Sequence, residues 1–357
     1  MKAPLRILVV GCGHMGTSHA RAYHRSPSFE ICGLVSRGES SRTRLSRELG
    51  GCPEFSDYGE ALAATRPDAV CICTYPETHA SYAIQALNAG CHVFLEKPLG
   101  VTIEEAESVI RLARERDRKL VVGYILQQHP TWNLFVEEAR KLGKPLVMRM
   151  NLNQQSSGSE WQTHKNILNS LSPIVDCGVH YVEVMCRMVG ARPVRVQAIG
   201  ACLSPELPPQ TYNYGHLHVT FADGSVGWYE AGWGPMISQS AFFVKDVFGP
   251  EGSVSITAGA KTLESSSDVN SHTRTDSLQL HSAHLNESGT FAHQDRFISA
   301  TNEPDHDALC ALEQDYFLQT IREDLDLEEH WDSARQSLKI VLAADQSIRE
   351  NRPVELS

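Results

Sequence analysis

Apolar residues follow two different rhythms along this chain, and the rhythm changes near residue 124. In the first third, short unbroken apolar runs alternate with stretches whose apolar residues recur every three or four positions. The runs at 5–10, 29–35, 69–74, 92–95 and 119–123 have the length and composition of strands buried on both faces. Between them, 58–65 and 80–89 read as helices, the second stopped by Gly90. Thr102, with Glu105 three residues on, predicts a capped helix whose apolar face is Ala106, Val109, Ile110 and Ala113. Strands alternating with helices specify an α/β fold built on a doubly wound parallel sheet.

Beyond Tyr124 the pattern is different. A helix over 132–142 ends at Gly143, and a strand over 146–152 follows. From 194 onward come strands without helices between them: 194–199, 216–221, 225–231, 241–248 and 253–257. Ala222-Asp223-Gly224-Ser225 is a hairpin turn, and Phe248-Gly249-Pro250-Glu251-Gly252 another tight connection. This is the signature of an α+β domain with a largely antiparallel sheet. The stretch 261–300, rich in Ser, His, Asn and Thr, predicts irregular edge strands and loops, and helices over 306–321 and 330–350 close the chain. The division expected is a dinucleotide-binding domain over 1–123 and a second domain over 124–357, within the range that 357 residues allow.

Composition narrows the class. A net charge of −11 without a basic cluster argues against nucleic acid and against an anionic membrane surface. No apolar run approaches the ~18 residues of a membrane span, and Met1-Lys2-Ala3-Pro4 leads straight into a strand rather than a signal peptide. A cytoplasmic location is therefore expected. The ten cysteines sit mostly in apolar runs with no Cys-x-x-Cys pair, so buried free thiols are expected rather than disulfides or a metal site.

Candidate chemistry lies at three places. The first strand runs into Gly11-Cys12-Gly13-His14-Met15-Gly16 and then a helix, the context in which G-x-G-x-x-G binds a dinucleotide. Gly11 permits the tight turn, Gly13 the approach of a pyrophosphate, and Gly16 close helix–sheet packing. His14 and Met15 lie in the same loop, whose helix N-terminus offers unpaired N–H groups. The second strand ends in Ser36-Arg37, where an acidic residue would hold the ribose hydroxyls. An arginine there suits a 2′-phosphate and favours NADP, with NAD left open should Arg37 stack on adenine. Thr74, Tyr75, Pro76 and His79, at the carboxyl end of the 69–74 strand, are further cofactor candidates.

The second place is Val93-Phe94-Leu95-Glu96-Lys97-Pro98-Leu99, a strand that delivers Lys97 to the carboxyl edge of the sheet, where ligands bind in this architecture. The proline turns the chain there and holds Lys97 extended. The third is Asp176-Cys177-Gly178-Val179-His180. On a helix opened by Pro173, this i, i+4 spacing puts Asp176 and His180 on one face. A carboxylate beside an imidazole fixes its tautomer and raises its basicity. Tyr124, Trp161, His164 and Lys165 are candidate pocket groups, the last three in a loop-like stretch ahead of that helix. Aromatic and polar side chains together suit a sugar's apolar face and hydroxyl rim. His216, His218, Trp228 and Trp233 alternate on strands and read as sheet-face residues.

Gly11-x-Gly13-x-x-Gly16, Glu96-Lys97-Pro98 and Asp176-x-Gly178-x-His180, in this order, resemble the Gfo/Idh/MocA family, which includes glucose–fructose oxidoreductase and inositol dehydrogenase. The resemblance covers essentially the whole chain. It implies a Rossmann domain followed by a substrate-binding and oligomerising domain on a large open sheet. It further implies hydride transfer between NAD(P) and a ring hydroxyl or ketone of a sugar or cyclitol, and assembly as a homodimer or homotetramer. Lys97 would contact substrate and nicotinamide ribose, Asp176 and His180 would be the family's pair, and His180 the general base. An NAD-dependent glycosidase that transiently oxidises its sugar, and a non-catalytic NADP-sensing protein, are the alternatives. There are departures. Asn169-Ser170-Leu171-Ser172-Pro173 stands where the family often has Gly-Gly, and Glu183 where aspartate is common. Gln127-Gln128-His129-Pro130 replaces a stretch that is frequently basic, which argues against a phosphorylated substrate.

Overall fold

The computed structural model describes residues 3–238, 244–257, 273–300 and 303–356. Parts of two expected elements, 241–243 of a strand and 261–272 of the irregular stretch, lie outside the described residues. The chain divides into two compact units, Met1–Gln128 with Pro304–Arg335, and His129–Glu303 with Gln336–Ser357. The division thus follows packing rather than chain order.

The first unit is a six-stranded parallel sheet. Its strands are β1 (Leu5–Val10), β2 (Phe29–Val35), β3 (Glu54–Phe55), β4 (Ala69–Ile72), β5 (His92–Glu96) and β6 (Leu120–Gly123), in the order β3-β2-β1-β4-β5-β6. The order reverses between β1 and β4, so the carboxyl ends of these two strands flank the crevice where such sheets bind nucleotides. Ile7, Leu8, Val9, Val70, Cys71, Val93, Phe94 and Leu95 are fully buried. That is the burial expected of strands covered by helices on both faces, at about 1.5–3 kcal/mol per large side chain.

Local chemistry sets the helix ends. Asp57 caps Tyr58–Thr65 by accepting the Glu60 N–H, and Thr102 caps Ile103–Glu115 by accepting the Glu105 N–H. Glu105 returns a bond to the Val101 N–H rather than to that of Thr102. Helix Glu39–Glu48 has no counterpart in the sequence reading. Leu45 is its one apolar side chain, so it carries no apolar stripe to recognise. Helix His306–Glu323, from near the end of the chain, packs on helix His14–Arg25 of the same unit.

The second unit is a nine-stranded mixed sheet. It contains β7 (Val147–Gln155), β8 (Pro193–Ala201), β9 (Tyr214–Phe221), β10 (Val226–Gly234) and β11 (Lys245–Gly249). The remaining strands are β12 (Gly252–Thr257), β13 (Ser277–Ser282), β14 (Arg296–Ser299) and β15 (Val354–Glu355). Every neighbouring pair is antiparallel except β7 with β10. β12 buries alternate residues, the mark of a sheet covered on one side. Helices Pro130–Arg140 and Gly178–Val189 cover that side. The Gly178 backbone lies so close to Tyr229 on β10 that a Cβ would come within 2.8 Å of the ring. Only glycine lets this helix settle so close to the sheet.

No helix among the described residues is long and apolar enough to cross a membrane. All ten cysteines are free thiols.

Candidate active site

In the first unit the glycine loop has the geometry its spacing requires. Gly11 adopts φ +99°, and a Cβ there would meet the Cys73 carbonyl at 2.3 Å. A Cβ on Gly16 would strike the Gly11 carbonyl at 1.7 Å. Around Gly13, by contrast, there is open space. Gly13 is the N-cap of helix His14–Arg25 and supplies no side-chain cap, so the first backbone N–H groups face an approach that a pyrophosphate would fit. His14 is exposed and Met15 half-buried. At the end of β2, Ser36 is half-buried and Arg37 exposed. The neighbouring Arg42 donates to the Ser36 carbonyl and pairs with Glu54.

The carboxyl end of β4 continues through Thr74 and an exposed Tyr75 into a short turn at Pro76–Thr78. His79 is buried completely. Its Nδ1 lies 2.7 Å from the Pro98 carbonyl and its Nε2 3.0 Å from the Thr74 carbonyl. Burial lowers its pKa against the pull of these two carbonyls. The ring therefore ties the Thr74 turn to the Lys97–Pro98 turn from inside the unit. Glu96 is buried and Lys97 half-buried. Glu96 Oε1 lies 2.7 Å from His19 Nε2, and Oε2 accepts the Lys97 N–H at 3.2 Å. Tyr124 is only 2% exposed and sits edge-on to His330.

In the second unit the Asp176/His180 segment departs from a single helix. Pro173–Asp176 is one short helix, with Ser172 capping it at the Val175 N–H, and Gly178–Val189 is the next. Cys177 is the joint, and the His180 N–H bonds back to the Cys177 carbonyl at 3.3 Å. The expected i, i+4 pair on one continuous helix is thus corrected. The hydrogen-bond ladder is interrupted at Cys177, whose own backbone stays in the helical region at φ −89°, ψ −38°. Asp176 is half-buried and His180 buried.

The segment expected to be a loop ahead of them is also corrected, to helix Gly158–Ile167. Its sequence, Gly-Ser-Glu-Trp-Gln-Thr-His-Lys-Asn-Ile, buries only Trp161, too little to announce a helix by periodicity. Trp161 packs with Leu168, Cys177, Leu207 and Trp233 and donates its indole N–H towards Glu206. Lys165 also pairs with Glu206. His164 lies flat on Trp233, ring centroids 4.6 Å apart, and its Nδ1 is 2.8 Å from Ser156 Oγ. Burial lowers the His164 pKa, opposed by the charges of Asp176 and Glu160. Asp176 and His164 are therefore close enough to sense one another, as shared membership of one pocket requires.

Two members of this cluster escaped the sequence reading. The Gln154 side-chain carbonyl accepts from the Trp233 indole at 2.8 Å and from the Cys177 thiol at 3.4 Å. Trp233, read only as a sheet-face residue, is 1% exposed inside the cluster. The polar run Asn153-Gln154-Gln155 ending a strand was the available signal.

Residues 5–124 match the oxidoreductase family with an NAD-binding Rossmann fold, Gfo/Idh/MocA, and residues 137–255 match the Gfo/Idh/MocA C-terminal domain. A UDP-N-acetylglucosamine 3-dehydrogenase from Acidithiobacillus ferrooxidans is 29% identical over 196 residues, 55% of this chain and 58% of that protein. The chain thus spans little more than half the length of that relative. A D-glucoside 3-dehydrogenase from Escherichia coli K12 is 25% identical over 262 residues, 67% of this chain and 73% of that protein. Scyllo-inositol dehydrogenase from Lactobacillus casei, solved with NAD(H) and scyllo-inositol, superposes with a TM-score of 0.77. It is 20% identical, with 99% of each chain covered.

Proposed function

Because the chain belongs to the Gfo/Idh/MocA family of oxidoreductases, we propose that it interconverts a ring hydroxyl and a ketone of a sugar or cyclitol with a nicotinamide dinucleotide. One observation carries this reading. Lys97 leaves β5 at the same carboxyl edge of the sheet as the Gly11–Gly16 loop, two strands away, and His79 ties its turn to the end of β4. The fit of the loop to a dinucleotide rests on the open space at Gly13 and the uncapped helix behind it. When bound, the nicotinamide supplies the hydride acceptor or donor.

The residues of this chain do the rest. In oxidation His180 would take the hydroxyl proton of the carbinol, while a bound nicotinamide would supply the hydride acceptor. Lys97 offers a cation to the alkoxide as it forms. Asp176 orients the base, and His164 with Trp161 contributes the aromatic and polar lining a sugar ring needs. We assign the glycine-loop residues, Ser36, Arg37, Thr74 and Tyr75 to the nucleotide, with the 2′-phosphorylated form preferred. In this proposal the unit Met1–Gln128 with Pro304–Arg335 is the nucleotide domain, and the unit His129–Glu303 with Gln336–Ser357 the substrate and assembly domain. The exposed or half-exposed Val147, Val226, Trp228 and His218 on the uncovered sheet face suit self-association, readable by light scattering at micromolar concentration.

The test is a panel of sugars and cyclitols with both oxidised cofactors, followed at the reduced-nicotinamide absorbance. On the best substrate, Lys97→Met and His180→Ala should each lower kcat by ~10²-fold or more while nucleotide affinity is retained. Unchanged turnover in His180→Ala would remove the base from this assignment.

A further inference from the structure

Glu96 ends β5, yet the residue is 6% exposed. One oxygen faces His19, which stands on the helix opened by the glycine loop, three residues beyond Gly16 and 0% exposed. The other accepts the Lys97 N–H. Helix His306–Glu323 closes the back of this pocket, where Gln314 meets both His19 Nδ1, at 2.8 Å, and the Tyr23 hydroxyl. As placed, the Gln314 amide NH₂ faces Nδ1. Half a turn of that amide offers its carbonyl instead, the arrangement an imidazolium needs.

The charges around Glu96 come from four sides. His19 lies on the first helix, His79 and Lys97 on the turns, Cys71 and Cys73 at β4, and Glu313 with Cys310 and His306 on the closing helix. Burial pushes the Glu96 pKa up, but the His19 hydrogen bond and the charges of His19, Lys97 and His79 bring it below the usual range. Burial pushes His19 down, and Glu96 carries it up to about 9. Glu313 is pushed by burial up to about 8, against the pull of His19. These shifts favour an imidazolium on His19, a carboxylate on Glu96 and a neutral acid on Glu313.

We propose that the buried His19–Glu96 pair is a positioning device for Lys97, joining the lysine's turn to the helix that receives the dinucleotide and fixing an anion against the lysine's backbone N–H. The inference rests on the reading of Lys97 as the cation that meets the substrate, and it deepens that reading. His19 and Glu96 act through Lys97, not on the substrate. The Coulomb attraction by which Lys97 favours ionised Glu96 is mutual, so Glu96 holds Lys97 protonated. Neutralising Glu96 frees the turn and weakens that hold together.

The experiment compares wild type, Glu96→Gln, Glu96→Asp and His19→Gln by two readouts. The first is acylation of Lys97 in the nucleotide-free protein as a function of pH, followed by peptide mass spectrometry with Lys119 as internal reference. The second is kcat, KM and nucleotide affinity on the best substrate. Glu96→Gln should move the Lys97 reactivity profile to lower pH by about half a unit or more. It should lower kcat by roughly tenfold or more with nucleotide affinity little changed, and Glu96→Asp should recover part of both. Should Glu96→Gln not fold, His19→Gln carries the same test with a smaller shift in the same direction. A Lys97 profile that superposes on wild type in the folded variants overturns the proposal. Inactivity of wild type across the whole panel, with the Lys97 shift present, would instead sink the dehydrogenase reading and leave the His19–Glu96 device standing.

Discussion

The His164 imidazole lies parallel to the Trp233 indole, at an interplanar angle of 8° and a centroid separation of 4.6 Å. The two rings have different work. Trp233 is anchored from behind by Gln154 and buried among Trp161, Leu168, Cys177 and Leu207. His164 is the half-buried ring of the stack and the one that senses Asp176. Trp233→Ala should therefore cost stability, about 3–5 kcal/mol in urea unfolding, because it empties a packed cluster. His164→Ala should cost far less stability. Under the proposed role of His164 in the sugar pocket, it should raise KM by roughly 2- to 10-fold with nucleotide affinity unchanged. Equal KM in His164→Ala and wild type would remove His164 from the substrate pocket.

Glu313 offers a pH-dependent test of the pocket behind β4 and β5. The residue is 3% exposed, and burial pushes its pKa from 4.5 up to about 8. Below pH ~4.5 it is protonated folded or unfolded and costs nothing. Between ~4.5 and 8 only the unfolded chain ionises freely, so this group erodes stability as pH rises, and the loss levels off above 8. Glu313→Gln keeps the neutral shape and removes that ionisation. The variant's stability relative to wild type should increase from pH 5 to pH 8 in paired urea titrations. A constant difference across that range would mean that Glu313 is charged in the folded protein.

The proposed preference for the 2′-phosphorylated cofactor can be tested at the end of β2. Arg37 is exposed, while Arg42 is already engaged by the Ser36 carbonyl and Glu54. In the proposed function Arg37 is therefore the cation assigned to a 2′-phosphate. A charge-assisted hydrogen bond is worth about 1.5–3 kcal/mol, so Arg37→Asp should lower the NADP-to-NAD ratio of kcat/KM by roughly 10- to 100-fold. An unaltered ratio would assign Arg37 to adenine stacking.

Much of this was legible in the order of residues, for physical reasons. Strands buried on both faces must be continuously apolar, so β1, β2, β4, β5 and β6 were readable. Gly11 and Gly16 are forced by carbonyl contacts that admit no Cβ. Helices that bury little were not readable: Glu39–Glu48 hides mainly Leu45, and Gly158–Ile167 mainly Trp161. Nor does periodicity reveal a joint such as Cys177, because four residues of spacing look alike whether or not the hydrogen-bond ladder is interrupted between them. His19 and Gln314 are 295 positions apart, and only folding shows that Glu96 has a partner behind it.

Lys245, at the start of β11, is 1% exposed and bears a titratable group that the proposed chemistry does not use. Its ammonium donates to the Asn151 carbonyl and stands 4.7 Å from the centre of the Tyr181 ring. Burial lowers its pKa from 10.5 to about 7. Above pH ~10.5 the amine is neutral folded or unfolded. As pH falls towards 7 the unfolded chain gains the proton first, so the folded state loses stability, and below 7 the loss is constant. That shift sets a ceiling of roughly 5 kcal/mol. Lys245→Met would recover it less the penalty for the uncovered Asn151 carbonyl, about 1–3 kcal/mol. The methionine variant should therefore be more stable than wild type at pH 6, and its advantage should shrink steadily towards pH 10. A variant less stable than wild type at pH 6 would show that the contacts to Asn151 and Tyr181 outweigh the burial of the charge.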